Sequence, residues 1–231
     1  MKVAAFQTPC FGSLHLFARA AEADLVLLCN SCQMVDKNKG IDGATKYTGQ
    51  KHIHVAGTQP AAWLPIATGA RMQPINQTPL AVVDQKLIRS MRARYTRARN
   101  GIRMLRTFEH LLNTSTTLGS LNVRSFNWGM MELGIYTPIR MDTELDSTLG
   151  TVDQSTITLQ QMLELGATEY LVGEHGASIL DREMWEDNGV DIVIQNWTPP
   201  AYKQGKGVFV QNLSVLDAVA HLGPNFQNRA I

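Results

Sequence analysis

No apolar run in this chain approaches the roughly 18 uninterrupted residues that a membrane-spanning helix needs, so no membrane partner is expected. Cysteine is scarce: three residues, an odd number, do not make the disulfide framework of a small secreted protein. The opening MKVAAFQTPCFG has one lysine and a short apolar run broken by Gln7, Thr8 and Pro9, which is not the pattern of a secretory leader. The cytoplasm is therefore the expected compartment. Charge of one sign is also lacking. The formal net charge is +1 over 231 residues, so attraction to a polyanion has to come from local clustering. Walker A, G-x-G-x-x-G, H-E-x-x-H and G-x-S-x-G patterns are absent, which removes support for nucleotide hydrolysis, dinucleotide redox and serine-hydrolase chemistry.

What is present suits a globular chain, with 44% hydrophobic and 18% charged residues. The length suggests one domain over residues 1–231, long enough to bury a substantial core. A β-leaning run at 2–7, helical apolar spacing at 13–23 and the continuous apolar DLVLLC at 24–29 predict a βαβ unit opening a parallel sheet. Residues 35–50 are polar and rich in Gly and Lys, which predicts a loop. HIHVA at 52–56 alternates like a strand, and the proline-rich 57–79 predicts loops with one short strand. A helical, Arg-rich middle region is expected at about 80–134. It comprises a helix over 80–113 broken near Asn100-Gly101 and a second over 118–133 closed by Gly134. A strand near 137–141, a helix at 158–165, strands at 169–172 and 191–197 and a helix at 213–222 complete an α/β fold with a largely parallel sheet.

The middle region carries an uneven distribution of charge. Lys86, Arg89, Arg92, Arg94, Arg97, Arg99, Arg103 and Arg106 follow one another with no acid between Asp84 and Glu109. On a helix, Leu87, Ile88, Met91 and Tyr95 form one apolar stripe flanked by the bases. A solvated surface helix is the plain alternative, but such helices mix signs, and an anionic partner explains the run better. Arginine suits bidentate phosphate contact. Tyr95 and Phe108 fit the core better than a base-stacking role. Cys29-x-x-Cys32 has the spacing of a redox or zinc pair, without a second pair for zinc, and reads better as buried thiols. His52 and His54 share a strand face and read as half-exposed strand residues rather than metal ligands.

The closing residues 169–223 hold an ordered set of polar motifs. Gly173-Glu174-His175-Gly176 follows a strand, where two glycines and two ionisable side chains would stand at the mouth of a sheet. Ile179-Leu180-Asp181 comes next, then a strand ending Gln195-Asn196-Trp197. Pro200-x-Tyr202-x-Gln204 and the NLSVLD stretch at 212–217 complete the set. This order of motifs resembles that of the WbqC-like protein family. The N-terminal segment is similar to the same family at Gln7, Asp24 and Gln33. It departs where Phe6 stands for a His and where Asn30 and Ser31 stand for two acids.

The resemblance implies an enzyme of an α/β fold whose relatives attach amino-acid or acyl groups to sugars or, in some phages, amino acids to DNA. In the latter reaction the amine of an amino acid such as glycine displaces pyrophosphate from an activated 5-hydroxymethyluracil. The arginine run favours the DNA substrate, with DNA carrying a modified pyrimidine and a free amino acid as partners in a bacterial or phage-infected cytoplasm. On this reading Glu174 or His175 is the base. Gln7, Asn30, Gln33, Gly173, Gly176, Gln195, Tyr202 and Gln204 hold the substrate. Lys86, Arg89, Arg92, Arg99, Arg103 and Arg106 grip phosphate. No cofactor is required, although Mg2+ on the pyrophosphate is compatible with the chemistry. The alternatives are a transferase acting on a nucleotide-linked sugar and a non-catalytic nucleic-acid-binding subunit.

Overall fold

The computed structural model describes residues 1–34, 37–39, 45–47, 52–53, 55, 62–63, 73–147, 154–205 and 208–224. His54 and the side chains of Lys37, Lys39 and His52 lie outside what it describes.

The chain opens with β1 (Lys2–Gln7), α1 (Leu14–Glu22) and β2 (Leu25–Cys29). β1 and β2 pair in parallel from Val3 against Leu25 to Gln7 against Cys29, as expected of a βαβ unit. Within the expected 35–50 loop lie two short strands, β3 (Lys37–Lys39) and β4 (Thr45–Tyr47), paired antiparallel. β5 (His52–Ile53) and β6 (Ala62–Trp63) form a second small ribbon. The helical middle follows as α2 (Gln85–Tyr95), α3 (Gly101–Thr114) and α4 (Leu118–Leu133). Then come β7 (Ile139–Met141), α5 (Gln154–Glu164), β8 (Glu169–Val172), α6 (Glu174–Ala177), α7 (Arg182–Asp187), β9 (Asp191–Ile194) and α8 (Val215–Leu222). The short helices α6 and α7 occupy a stretch where no helix is expected from spacing. α5 starts four residues earlier than the predicted 158, and β9 ends at Ile194 rather than at 197.

The main sheet is all parallel, in the order β7-β2-β1-β8-β9. The chain winds outward from β1 through β2 to β7, then returns to the other side of β1 for β8 and β9. Such a reversal leaves a crevice at the carboxyl ends of β1 and β8, where open α/β sheets commonly admit ligands.

Alternation along each strand builds two apolar faces. Val26 and Leu28 join residues of α1, α2, α3, α4 and α8 on one face. Val3, Ala5, Leu27 and Tyr170 join Leu159, Met162 and Trp185 on the other. Strands covered on both sides read as continuous apolar runs, which is why DLVLLC looks as it does. Phe17 of α1 stacks on Phe126 of α4 with centroids 4.9 Å apart, a contact worth about 0.5–1.5 kcal/mol beyond area burial.

The helical layer has clear local causes. Asp84 caps α2 by accepting from the Lys86 amide, and the predicted stripe of Leu87, Ile88, Met91 and Tyr95 is buried. Thr117 caps α4, and Gly134 closes it with a φ of 70°. Between α2 and α3 the chain turns so tightly that a Cβ on Gly101 would lie 1.6 Å from the Tyr95 carbonyl oxygen. Only glycine fits that approach. No helix among the described residues is long and apolar enough to cross a membrane.

Candidate substrate cavity

Three stretches far apart in sequence meet around one cavity. The end of α2 and the turn after it supply Ala93, Arg94, Tyr95, Arg97, Ala98 and Arg99. The loop after β9 supplies Lys203, Gln204, Gly205, Val208 and Val210, and α8 supplies Asp217 and His221. The cavity has a volume of about 820 Å³, within the usual range for small-molecule and cofactor sites. Backbone bonds fix α8 at this place. The Asn100 amide donates to the Ala220 carbonyl, and the Val215 amide donates to the Gly12 carbonyl. Ser214 caps the helix by accepting from the Leu216 amide, and its hydroxyl donates to the Phe11 carbonyl.

At the cavity wall Asp217 is 1% exposed. Its two carboxylate oxygens each accept from a tyrosine: Oδ1 from the Tyr95 hydroxyl at 2.9 Å and Oδ2 from the Tyr202 hydroxyl at 2.8 Å. Burial pushes the Asp217 carboxyl above its ordinary range. The hydrogen bonds from Tyr202 and Tyr95 and the nearby His221 and Arg94 work against that rise. Both tyrosines are raised in turn by burial and by the Asp217 charge, so they stay protonated as donors. His221 Nε2 lies 3.9 Å from Asp217 Oδ1, and its ring meets Tyr95 edge-on with centroids 6.1 Å apart. The result is a carboxylate with two phenol donors and an adjacent imidazole.

The basic run divides by partner. Arg92 forms a two-pronged pair with Glu109 of α3, with both contacts at 2.6 Å. Arg103 grips Glu132 of α4 in the same way, at 2.7 and 2.5 Å. These two arginines tie helices together. Lys86, Arg89 and Arg106 are exposed and form no ion pair with another described residue. Arg94, Arg97 and Arg99 line the cavity, and no carboxylate among the described residues pairs with them. The Arg94 Nε is buried and has no hydrogen-bond partner among the described residues, which leaves a charged donor unsatisfied at the cavity. Of the residues expected to grip phosphate, the cavity gathers Arg99. It adds Arg94, Arg97 and Lys203, which the motif reading had not assigned to a site.

The residues expected to hold the substrate fall into two groups. Gln204 lines the cavity, and Tyr202 stands just behind it on Asp217. Gln204 also clamps Val210, accepting from its amide at 2.8 Å and donating to its carbonyl at 2.6 Å. The others lie at the carboxyl edge of the sheet and do not line the cavity. Gln195 accepts from Arg19 Nε and Nη2 at 3.1 and 3.0 Å and donates to the His15 carbonyl, which ties β9 to α1. Arg19 is buried, and desolvation lowers its pKa.

A Cβ on Gly173 would lie 2.6 Å from that guanidinium, and one on Gly176 would lie 2.5 Å from Val172 Cγ2. The two glycines of the Gly173–Gly176 motif thus permit close packing. Glu174 and His175, expected as the base, are exposed on α6 and outside the cavity lining.

Asn30 is buried. Its Oδ1 accepts from the Thr8 hydroxyl at 3.1 Å, and its side chain packs against Gly119. Gln33 is exposed and bridges Pro74, while Gln7 ends β1 opposite Cys29.

An acid does stand where the N-terminal motif lacks its own. Buried Asp142, just after β7, accepts from the amides of Asn30 and Ser31 and from the Ser31 hydroxyl. The signal for it in sequence is the Asp that directly follows the IRM strand. Burial and Asp142 push the Cys29 thiol well up and the Cys32 thiol to about 12, so both are protonated near neutral pH. Among the described residues no three His, Cys, Asp or Glu side chains gather as metal ligands.

The family model for the WbqC-like protein family matches residues 10–228, nearly the whole chain, and the chain belongs to that family. Neither the curated proteins nor the solved structures contain a significant match. Family membership is consistent with an enzyme of a transferase type.

Proposed function

We propose that this WbqC-like protein transfers an amino acid, through its amine, onto a pyrophosphate-activated 5-hydroxymethyluracil base in DNA. The observation that carries the reading is the convergence of Arg94, Arg97, Arg99 and Lys203 on a cavity walled by Asp217 and His221. Arg97, Arg99 and Lys203, which form no ion pair with a carboxylate among the described residues, beside a proton acceptor suit a reaction in which an amine enters and a polyanion leaves.

The amine nitrogen attacks the exocyclic methylene carbon on the base, and the carbon–oxygen bond to pyrophosphate breaks. The pyrophosphate departs with the bonding electron pair and is stabilised by the arginines. The ammonium proton formed on the attacking nitrogen passes to His221, whose ring lies on the cavity wall with Nε2 3.9 Å from Asp217 Oδ1. Tyr95 and Tyr202 hold that carboxylate in place by two hydrogen bonds. Glu174 and His175 are exposed on a separate helix and outside the cavity lining, so His221 replaces them as the favoured acceptor. Mg2+ would enter on the pyrophosphate oxygens, since no carboxylate cluster among the described residues is arranged to hold it.

A nucleotide-linked sugar also presents a diphosphate, and the cavity volume would admit one. Titration of the protein with DNA and with sugar nucleotides separates the two. The proposal expects DNA binding that weakens steeply and linearly on a log–log plot against salt. Binding to a sugar nucleotide with none to DNA would transfer the reading to sugar chemistry.

A further inference from the structure

The loop after β9 leaves valines in water beside the cations. Val208 is 90% and Val210 42% exposed, yet both line the cavity. Between them Phe209 turns the other way and meets Tyr202 edge-on with centroids 5.8 Å apart. The segment is held on both sides, by the two Gln204 bonds to Val210 and by Phe209 on Tyr202. An apolar edge held open to solvent beside unpaired arginines suggests a ligand with an apolar face and negative charge at its margin. Ala93 and Ala98, on α2 and the turn after it, add small apolar surfaces to the same cavity lining. A nucleobase with its flanking phosphates has this combination of properties. An extruded base is held between aromatic or apolar side chains, and arginines take up the phosphates.

We infer that Val208 and Val210, together with Ala93 and Ala98 of the same cavity lining, form a slot that holds one unstacked nucleobase, while Arg97, Arg99 and Lys203 hold the adjoining phosphates. The slot deepens the DNA reading and rests on it. A base inside a duplex cannot enter such a slot, so the substrate strand is single or the nucleotide is turned out of the stack.

The test is fluorescence anisotropy with two single-stranded oligonucleotides, one all-thymine and one carrying an abasic residue at its centre, at several salt concentrations. The wild-type chain is expected to bind the thymine strand about tenfold more tightly than the abasic one, the scale of one well-held base. In the Val208→Ser, Val210→Ser variant that preference should vanish while the salt slope stays unchanged. Val208 is almost wholly in water and Val210 is partly exposed, so the variant should fold, and an unchanged thermal transition checks that it does. Equal wild-type affinity for both strands, or a preference that survives the double substitution, overturns the slot while leaving salt-dependent DNA binding intact. If the wild type binds neither strand, the slot and the DNA reading fall together.

Discussion

Asp217 is held by groups that a linear reading keeps apart. The family motif singles out Tyr202, but Tyr95, 122 residues from Asp217, reads in sequence as part of the core stripe. Tyr95 serves both roles, with its ring in the core and its hydroxyl on the carboxylate. Replacing it by Phe removes one of two donors to a buried charge and should cost about 1.5–3 kcal/mol in urea denaturation.

The raised Asp217 pKa carries a sign that can be checked. The folded state holds this proton more readily than the unfolded chain. Its contribution therefore favours folding below the ordinary carboxylate range and is lost as pH rises through the folded value. The Asp217→Asn variant escapes that loss. Its urea midpoint relative to wild type should rise from about pH 3 to pH 7. A difference that stays flat over that range would mean that burial does not penalise the charge.

Elements were the most legible level. The break near Asn100-Gly101, the Gly134 stop and the opening βαβ unit all follow from caps, glycines and apolar spacing. α6 and α7 escaped notice because four and six residues are too few to show a period. The arginine run was misleading in one respect. Its lack of internal acids points to an anionic partner for the run, yet α3 and α4 supply Glu109 and Glu132 to Arg92 and Arg103 from outside the run. Pairing across helices depends on packing, which no charge pattern within one helix reports.

The turn between α2 and α3 places Arg97 and Arg99 at the cavity, and it depends on Gly101. Gly101→Ala would drive a methyl into the Tyr95 carbonyl and should destabilise the fold by about 3 kcal/mol or more, read from the denaturation midpoint.

At the scale of the whole molecule, a nearly neutral chain gathers Arg94, Arg97, Arg99 and Lys203 around one cavity. The site was half legible. In the candidate cavity Gln204 and, just behind it, Tyr202 follow from a motif and Arg99 from the basic run, while His221, Asp217 and Lys203 join them only because the loop after β9 folds back onto α2 and α8. Reversing the charge in an Arg97→Glu, Arg99→Glu variant should abolish most DNA binding and lower the salt slope by about 1.4, the loss of two single-strand phosphate contacts. Arg92→Gln, which only releases Glu109, should leave DNA affinity unchanged.

Chemistry remains the central claim. Its direct measurement is mass spectrometry of the nucleosides released after DNA bearing pyrophosphorylated 5-hydroxymethyluracil is incubated with the protein and a panel of amino acids. The account predicts a modified thymidine heavier by one amino acid and free of pyrophosphate, formed by the wild type and not by His221→Asn. No mass gain with any amino acid, or full activity in His221→Asn, would contradict it.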